Sequence, residues 1–280
     1  MTGLEASAVL KSKLQEHGLY NQNELNTLFL AATGRDRLSL MRDSLSAAEE
    51  QALFSLLQRR IDGEPLQYLL GSWPFLDFTV KVDARALIPR PETELLAETC
   101  VKLCAFTRPE RILDLCSGTG VLAFALKRAF PAARVDAVEL STDAFSLLQE
   151  NATLLGCNIN AVCADANAYI ETMADNSANL IVSNPPYVTE QDYAENFNEL
   201  CHEPKMAFVA EEEGLYFYRT LIPACYRVLN KGGVLAFEIG EEQGKEVSSL
   251  FEGIGFNSRV IKDYNNHDRI VTGRKTPYDI

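Results

Sequence analysis

The chain has 280 residues, 47% of them hydrophobic, which suffices for one large domain plus a small one with filled cores. No stretch approaches the roughly 18 uninterrupted apolar residues of a membrane span, and Met1 to Glu5 lacks the basic and apolar regions of a secretory signal, so a cytoplasmic protein is expected. A formal net charge of -13 argues against a broad phosphate-binding face and suits a partner that is itself basic, such as a translation or ribosome-bound protein.

From Thr2 to about Gly71 apolar residues recur at helical spacing: Ala8-Val9-Leu10 and Leu14, Leu25 and Leu28-Phe29-Leu30, then Leu53, Leu56-Leu57 and Ile61. This predicts a small helical bundle over residues 1–71. Ser46 followed three residues later by Glu49 is a capping box for a helix ending near Asp62-Gly63. Phe75, Phe78, Val80 and Val82 then alternate as in a short hairpin, and residues 72–91 are expected to link the bundle to a second domain over residues 92–280. Pro89 and Pro91 stiffen the chain around Arg90, and Pro91 fits the first turn of a helix reaching about Phe106.

Beyond Pro109 strands and helices alternate. Strands are predicted from Arg111 to Leu115, Arg134 to Leu140, Asn160 to Cys163, Ala178 to Ser183 and Val234 to Ile239. Helices are predicted from Val121 to Phe130, Thr142 to Leu155 and Glu213 to Val228. This is the pattern of an α/β domain with a parallel doubly wound sheet. Phe256 to Thr272 reads as two more strands around Asp263 to Asp268, an antiparallel hairpin closing the sheet edge. The seven cysteines include no Cys-x-x-Cys pair and the three histidines are scattered, so neither a disulfide framework nor a metal site is expected.

The segment Asp114-Leu115-Cys116-Ser117-Gly118-Thr119-Gly120 lies where a predicted strand turns into a helix. Glycines there let the backbone approach a ligand, and ligands of open α/β sheets bind at the carboxyl ends of strands. Glu139 ends the next strand, 19 residues beyond Gly120, where a carboxylate accepts both hydroxyls of a ribose. Gly118-x-Gly120-x-x-Ala123 equally fits the dinucleotide fingerprint, so the loop predicts a nucleoside and leaves its identity open. Asp114 favours a methyl donor with a cationic amino group, because a pyrophosphate would be repelled. Asp165-Ala166, after the third strand, either reaches an adenine amino group or is a simple turn.

Asn184-Pro185-Pro186-Tyr187 follows the buried run Leu180 to Ser183, at the same sheet edge as the glycine loop. An amide or aromatic amine nitrogen is a poor nucleophile because its lone pair is delocalised, but its hydrogens can be grasped. If the Asn184 side-chain oxygen and the Pro185 carbonyl each accept one N–H, the nitrogen is oriented with its lone pair toward a methyl group. The prolines preorganise those acceptors, and the Tyr187 ring packs on a flat substrate group. A methyltransferase using S-adenosylmethionine on a planar nitrogen is therefore expected; this peptide alone does not separate an amide from an adenine amine.

These motifs, with Pro65-Leu66-Gln67-Tyr68, Leu87 to Glu94, Glu203-Pro204, Gly214-Leu215, Gly232-Gly233, Glu238-Ile239-Gly240, Gln243 and Asp268-Arg269, resemble the bacterial peptide-chain-release-factor glutamine methyltransferases, the HemK/PrmC family, over nearly the whole chain. The resemblance implies a helical amino-terminal domain, a hairpin linker and a Rossmann-like class I methyltransferase domain, with a mostly parallel seven-stranded sheet and an antiparallel edge hairpin. It implies S-adenosyl-L-methionine as donor, S-adenosyl-L-homocysteine as product, and the glutamine of the Gly-Gly-Gln loop of class I release factors as substrate, with no membrane and no direct nucleic-acid substrate. Cofactor contacts carry over to Asp114, Cys116, Ser117, Gly118, Thr119, Gly120, Glu139, Asp165, Ala166 and Asn184, and glutamine contacts to Asn184, Pro185, Pro186 and Tyr187.

The chain departs from the pattern at Cys116-Ser117, where the family more often has Gly or Cys followed by Thr. Ala166 falls where some members carry an aromatic, and Glu139 replaces a common Asp. Two related activities share the Asn-Pro-Pro-Tyr peptide or its chemistry. One is methylation of a ribosomal-protein glutamine, disfavoured because Pro89 to Glu94 does not read Pro-Arg-Ser-Pro; the other is methylation of adenine in DNA or RNA, disfavoured by the acidic chain. A non-catalytic module that senses the cofactor or scaffolds a release factor is disfavoured by the intact Asn184 peptide.

Overall fold

The computed structural model describes residues 1–276 and contains two compact units, Met1–Trp73 and the chain from Pro74 onward. The first is helical, with α1 (Gly3–Glu16), α2 (Gln22–Thr33), α3 (Arg37–Leu40), α4 (Ala47–Ile61) and α5 (Leu66–Leu70). Side chains satisfy the orphan amides at the helix starts: Thr2 with Glu5 and Ser46 with Glu49 form reciprocal capping boxes, and Asn21 accepts from the Glu24 amide at 2.7 Å. The apolar stripes meet in a core that includes Leu10, Leu14, Leu25, Leu28, Phe29 and Leu53. Glu24, buried beside that core, pairs with Arg60 of α4; losing either partner would strand a buried charge.

A two-stranded sheet follows, β1 (Ser72–Phe75) and β2 (Phe78–Lys81). The larger unit then runs α6 (Pro91–Cys104), β3 (Arg111–Leu115), α7 (Val121–Ala129), β4 (Arg134–Glu139), α8 (Thr142–Leu154), β5 (Asn160–Cys163), α9 (Ala166–Glu171) and β6 (Ala178–Ser183). It continues with α10 (Glu190–Glu195), α11 (Phe197–Leu200), a 3-10 turn (Lys205–Ala207), α12 (Tyr216–Val228), β7 (Leu229–Glu238), α13 (Gly244–Ile254), β8 (Phe256–Lys262) and β9 (Asp268–Lys275). Seven strands form one sheet in the order β5-β4-β3-β6-β7-β9-β8. The first five in that order pair in parallel, while β9 is antiparallel to both β7 and β8, as expected from the sequence.

The central strands carry no polar alternation over Ile112 to Leu115 apart from Asp114, nor over Leu180 to Val182, and all these residues are buried. That is the signature of a sheet covered on both faces. Leu113, Leu115, Ile181 and Phe237 share one core with Tyr218, Leu221, Ile222 and Cys225 of α12. Strand order reverses between β3 and β6, so a crevice opens at their carboxyl ends.

Several boundaries differ from the sequence expectation. Helix α12 starts at Tyr216 rather than Glu213, because Glu212, Glu213 and Gly214 have φ of 55°, 58° and 79°. That left-handed stretch cannot join a right-handed helix. Strand β7 begins at Leu229, ahead of the expected Val234, with its register against β6 shifting between Ala178 and Leu180. Helices α9, α10 and α11 are too short to display a period, whereas α13 was not expected although Val247, Leu250, Phe251 and Ile254 fall at helical spacing. Among the described residues no helix is long and apolar enough to cross a membrane, and no group of three or more His, Cys, Asp or Glu is arranged to hold a metal ion.

Candidate active site

Parallel pairing of Leu115 with Ser183 places the loop after β3 beside the peptide after β6, and pairing of Leu115 with Val138 brings the end of β4 alongside. The glycine loop is held by its own backbone: the Ser117 amide donates to the Val138 carbonyl at 3.0 Å and the Gly120 amide to the Ser117 carbonyl at 2.8 Å. Cys116, Gly118 and Gly120 have φ of 61°, 52° and 89°. At Gly120 an added Cβ would come within 2.7 Å of the Phe124 ring, so the residue is required by packing against α7. Around Gly118, in contrast, the space for a Cβ is open.

The loop walls a cavity whose lining includes Cys116, Ser117, Gly118, Thr119, Glu139, Asp165, Ala166, Asn184 and Pro186. Glu139 is nearly buried, its two oxygens accepting from the Gly118 and Ser141 amides at 2.8 Å each. Burial nevertheless raises its pKa, opposed by those amides. Burial also pushes the Cys116 thiol well above its ordinary value, which makes it a neutral wall rather than a nucleophile.

Asp114 and Gly120 stand behind this lining. Asp114 is fully buried on β3 under the start of α7, where its Oδ2 accepts from the Ala123 amide at 3.1 Å while Oδ1 has no partner. Burial pushes its carboxyl up to about 7. Gly120 is the residue from which α7 starts. Asp165 caps α9, its Oδ1 accepting from the Ala168 amide at 2.8 Å, and the Ala166 methyl packs into the core. No aromatic stands at 166, but Phe217 of α12 reaches the same cavity wall.

In the peptide after β6, Pro185 is buried and Asn184, Pro186 and Tyr187 are half-buried. Ser183 anchors the strand end, donating its hydroxyl to the Leu115 carbonyl at 2.6 Å. Gln243 holds the far end: its Nε2 donates to the Tyr187 carbonyl at 3.1 Å, and its Oε1 accepts from the Gly240 amide at 2.9 Å. Tyr187 lines a second, smaller recess with Leu87, Arg90, Asn184 and Glu238. Three residues in this region were given no site role from the sequence: Thr93, Glu203 and Phe217. Glu203 is nearly buried, accepts from the Ile88 amide at 2.8 Å and pairs with Arg90, tying the segment before α6 to the loop after α11. Its one sequence signal was its place in the Glu203-Pro204 pair.

A protein of Caulobacter vibrioides named release factor glutamine methyltransferase is 31% identical over all of this chain and 98% of its own length. The chain belongs to the release factor glutamine methyltransferase family. A second family relative, from Salmonella typhimurium, is 35% identical over 88% of this chain and 89% of its own length. The family model for the PrmC N-terminal domain matches residues 5–71, and that for the methyltransferase small domain matches residues 91–211. The fold recurs in a methyltransferase of Agrobacterium tumefaciens, described as SAM dependent, at 19% identity and a TM-score of 0.51 over 74% of this chain and 71% of that one.

Proposed function

We infer that this protein methylates the side-chain amide nitrogen of the glutamine in the Gly-Gly-Gln motif of class I peptide chain release factors, in the cytoplasm, with S-adenosyl-L-methionine as donor. The observation that carries this reading is full-length similarity to relatives named for release factor glutamine methylation, in a chain whose Asn-Pro-Pro-Tyr peptide adjoins the cavity walled by the glycine loop.

The residues present fit the donor. Asp114 keeps an unpartnered buried carboxylate oxygen beneath the glycine loop, suited to a cationic amino group. Glu139 offers a carboxylate for ribose hydroxyls, Gly118 leaves the loop open, and the Asp165-Ala166 turn borders the space for adenine. Bound there, S-adenosyl-L-methionine supplies an electrophilic methyl group and leaves as S-adenosyl-L-homocysteine. The chain itself orients the nucleophile: the Asn184 Oδ1 and the Pro185 carbonyl accept the two amide hydrogens, Pro185 and Pro186 hold those acceptors rigid, and Tyr187 packs on the planar amide. The amide nitrogen, made cationic by the methyl group it gains, loses one of its protons to solvent water.

Residues 1–71 serve in this reading to dock the protein substrate, residues 72–91 link, and residues 92–280 carry the chemistry, with neither a membrane nor a nucleic acid as substrate. Incubation with labelled donor and a class I release factor tests it. A single methyl is expected on the tryptic Gly-Gly-Gln peptide, and Asn184→Ala should lower kcat by about 100-fold or more while the donor still binds. Equal labelling of a release factor whose motif glutamine is alanine would overturn the substrate assignment.

A further inference from the structure

The Asn184 side chain has an acceptor end and a donor end of nearly the same shape, and only the acceptor end can grasp a substrate N–H. Something must choose between them. Asn184 Nδ2 lies 3.1 Å from Thr93 Oγ1 in the first turn of α6, and Thr93 Oγ1 lies 2.7 Å from Oε2 of Glu238 at the end of β7. Glu238 is almost fully buried, and its backbone carbonyl is held by the Tyr218 hydroxyl at 2.9 Å.

We propose that Thr93 is a positioning residue which, with Glu238, sets the polarity of the Asn184 amide and so turns its oxygen toward the substrate. The proposal rests on the methyl-transfer reading above and extends it to groups behind the Asn-Pro-Pro-Tyr peptide. A carboxylate can only accept, and a threonine hydroxyl has one hydrogen. With Glu238 ionised, that hydrogen goes to Oε2, the Thr93 oxygen is left to accept, and Asn184 must present Nδ2 to it. Oδ1 is then the end facing the cavity.

The same chain can run backwards. A neutral Glu238 donates to Thr93, Thr93 donates to Asn184 Oδ1, and the NH2 end turns to the substrate, a donor where an acceptor is needed. Groups facing Glu238 come from four elements: Thr93 and Glu92 on α6, Tyr187 with its hydroxyl 3.5 Å from Oε1, Tyr218 on α12, and Arg269 on β9; Arg90 lines the same recess. Burial, the largest influence, lifts the Glu238 carboxyl to about 7, so both polarities fall within reach near neutral pH.

Heteronuclear NMR of the Asn184 side-chain NH2 in the full-length, substrate-free protein provides the first arm of the test. In the wild type these resonances should move with pH around a midpoint near 7 and one hydrogen should exchange slowly. Thr93→Ser should retain both signatures, while Thr93→Val and Glu238→Gln should lose the titration. In the second arm, methyl transfer to a release factor, Thr93→Val should lower kcat by about tenfold or more with substrate KM and donor Kd little changed, Thr93→Ser should restore it, and the wild-type kcat should fall below pH 7. If Thr93→Val does not fold, Glu238→Gln carries both arms. Wild-type kcat in either non-conservative variant, or Asn184 resonances indifferent to both, overturns the proposal. A wild type that labels no release factor overturns the substrate reading instead, and the NMR arm still decides the polarity.

Discussion

Substituting Gly214 by alanine should disable catalysis from outside the cavity. Gly214 has φ of 79°, and a Cβ built on it would come within 2.7 Å of Gln243 Nε2 and nearer still to the Tyr187 carbonyl oxygen. These are the two groups whose 3.1 Å hydrogen bond anchors the end of the Asn184-Tyr187 peptide. A left-handed alanine costs about 1–2 kcal/mol. Relief of the overlap requires the Tyr187 backbone to move by roughly an ångström, and a misplacement of that size costs on the order of 100-fold in rate. The loss should appear in kcat, measured by methyl transfer at saturating donor, with donor Kd from calorimetry unchanged because the glycine loop after β3 is untouched. Gly18→Ala is the control: φ is 69° there too, but nothing lies within 4 Å of the added Cβ. It should lower stability by about 1 kcal/mol and leave kcat intact. A Gly214→Ala enzyme with wild-type kcat would refute the claim that this contact fixes the catalytic peptide.

Asp114 makes the donor-free protein pH-sensitive. Its folded-state pKa is raised from 3.8 to about 7, so the folded chain holds the proton more tightly; this stability is fully present below 3.8 and is lost as pH rises through about 7. Chemical denaturation should show a decline on the order of 4 kcal/mol across that window from this group. Asp114→Asn should flatten the slope without abolishing it, since Glu238 is shifted in the same direction. Glu203→Ala, by stranding the Ile88 amide and Arg90, should destabilise by about 3 kcal/mol in the same assay, and an unchanged midpoint would deny that clamp a structural role. Glu139→Ala should raise the donor Kd by roughly 10- to 100-fold through the loss of charged hydrogen bonds, measured by calorimetry.

Much of the fold was legible because its signals are local. Strands β3, β5 and β6 have the bounds expected from the sequence, and the Pro91 helix start and the Ser46 capping box are written within a few residues. The beginning of α12 was not, because nothing in Glu212-Glu213-Gly214 announces three successive left-handed residues. Acidic residues before an apolar run read as a helix start, and the tight packing of Gly214 against Tyr187 overrides that propensity.

The same division runs through the site. Chemistry confined to one short peptide, the 116–120 loop or Asn184 to Tyr187, could be proposed from residue types, and parallel pairing of β3 with β6 explains why two such peptides meet. What stands behind them could not. Thr93 lies 91 residues from Asn184 and 145 from Glu238, and within the Leu87 to Glu94 stretch nothing in the sequence ties it to either. Its neighbours are dictated by α6 packing on β7 while β6 and β7 lie side by side, a consequence of topology rather than of period. Asp114 combines the two: its residue type suggested a ligand contact, and only its strand position shows that one oxygen caps α7 while the other faces no partner. A motif therefore names the atoms that can react, whereas the polarity and ionisation of those atoms belong to side chains that only the folded sheet brings within 3 Å or so.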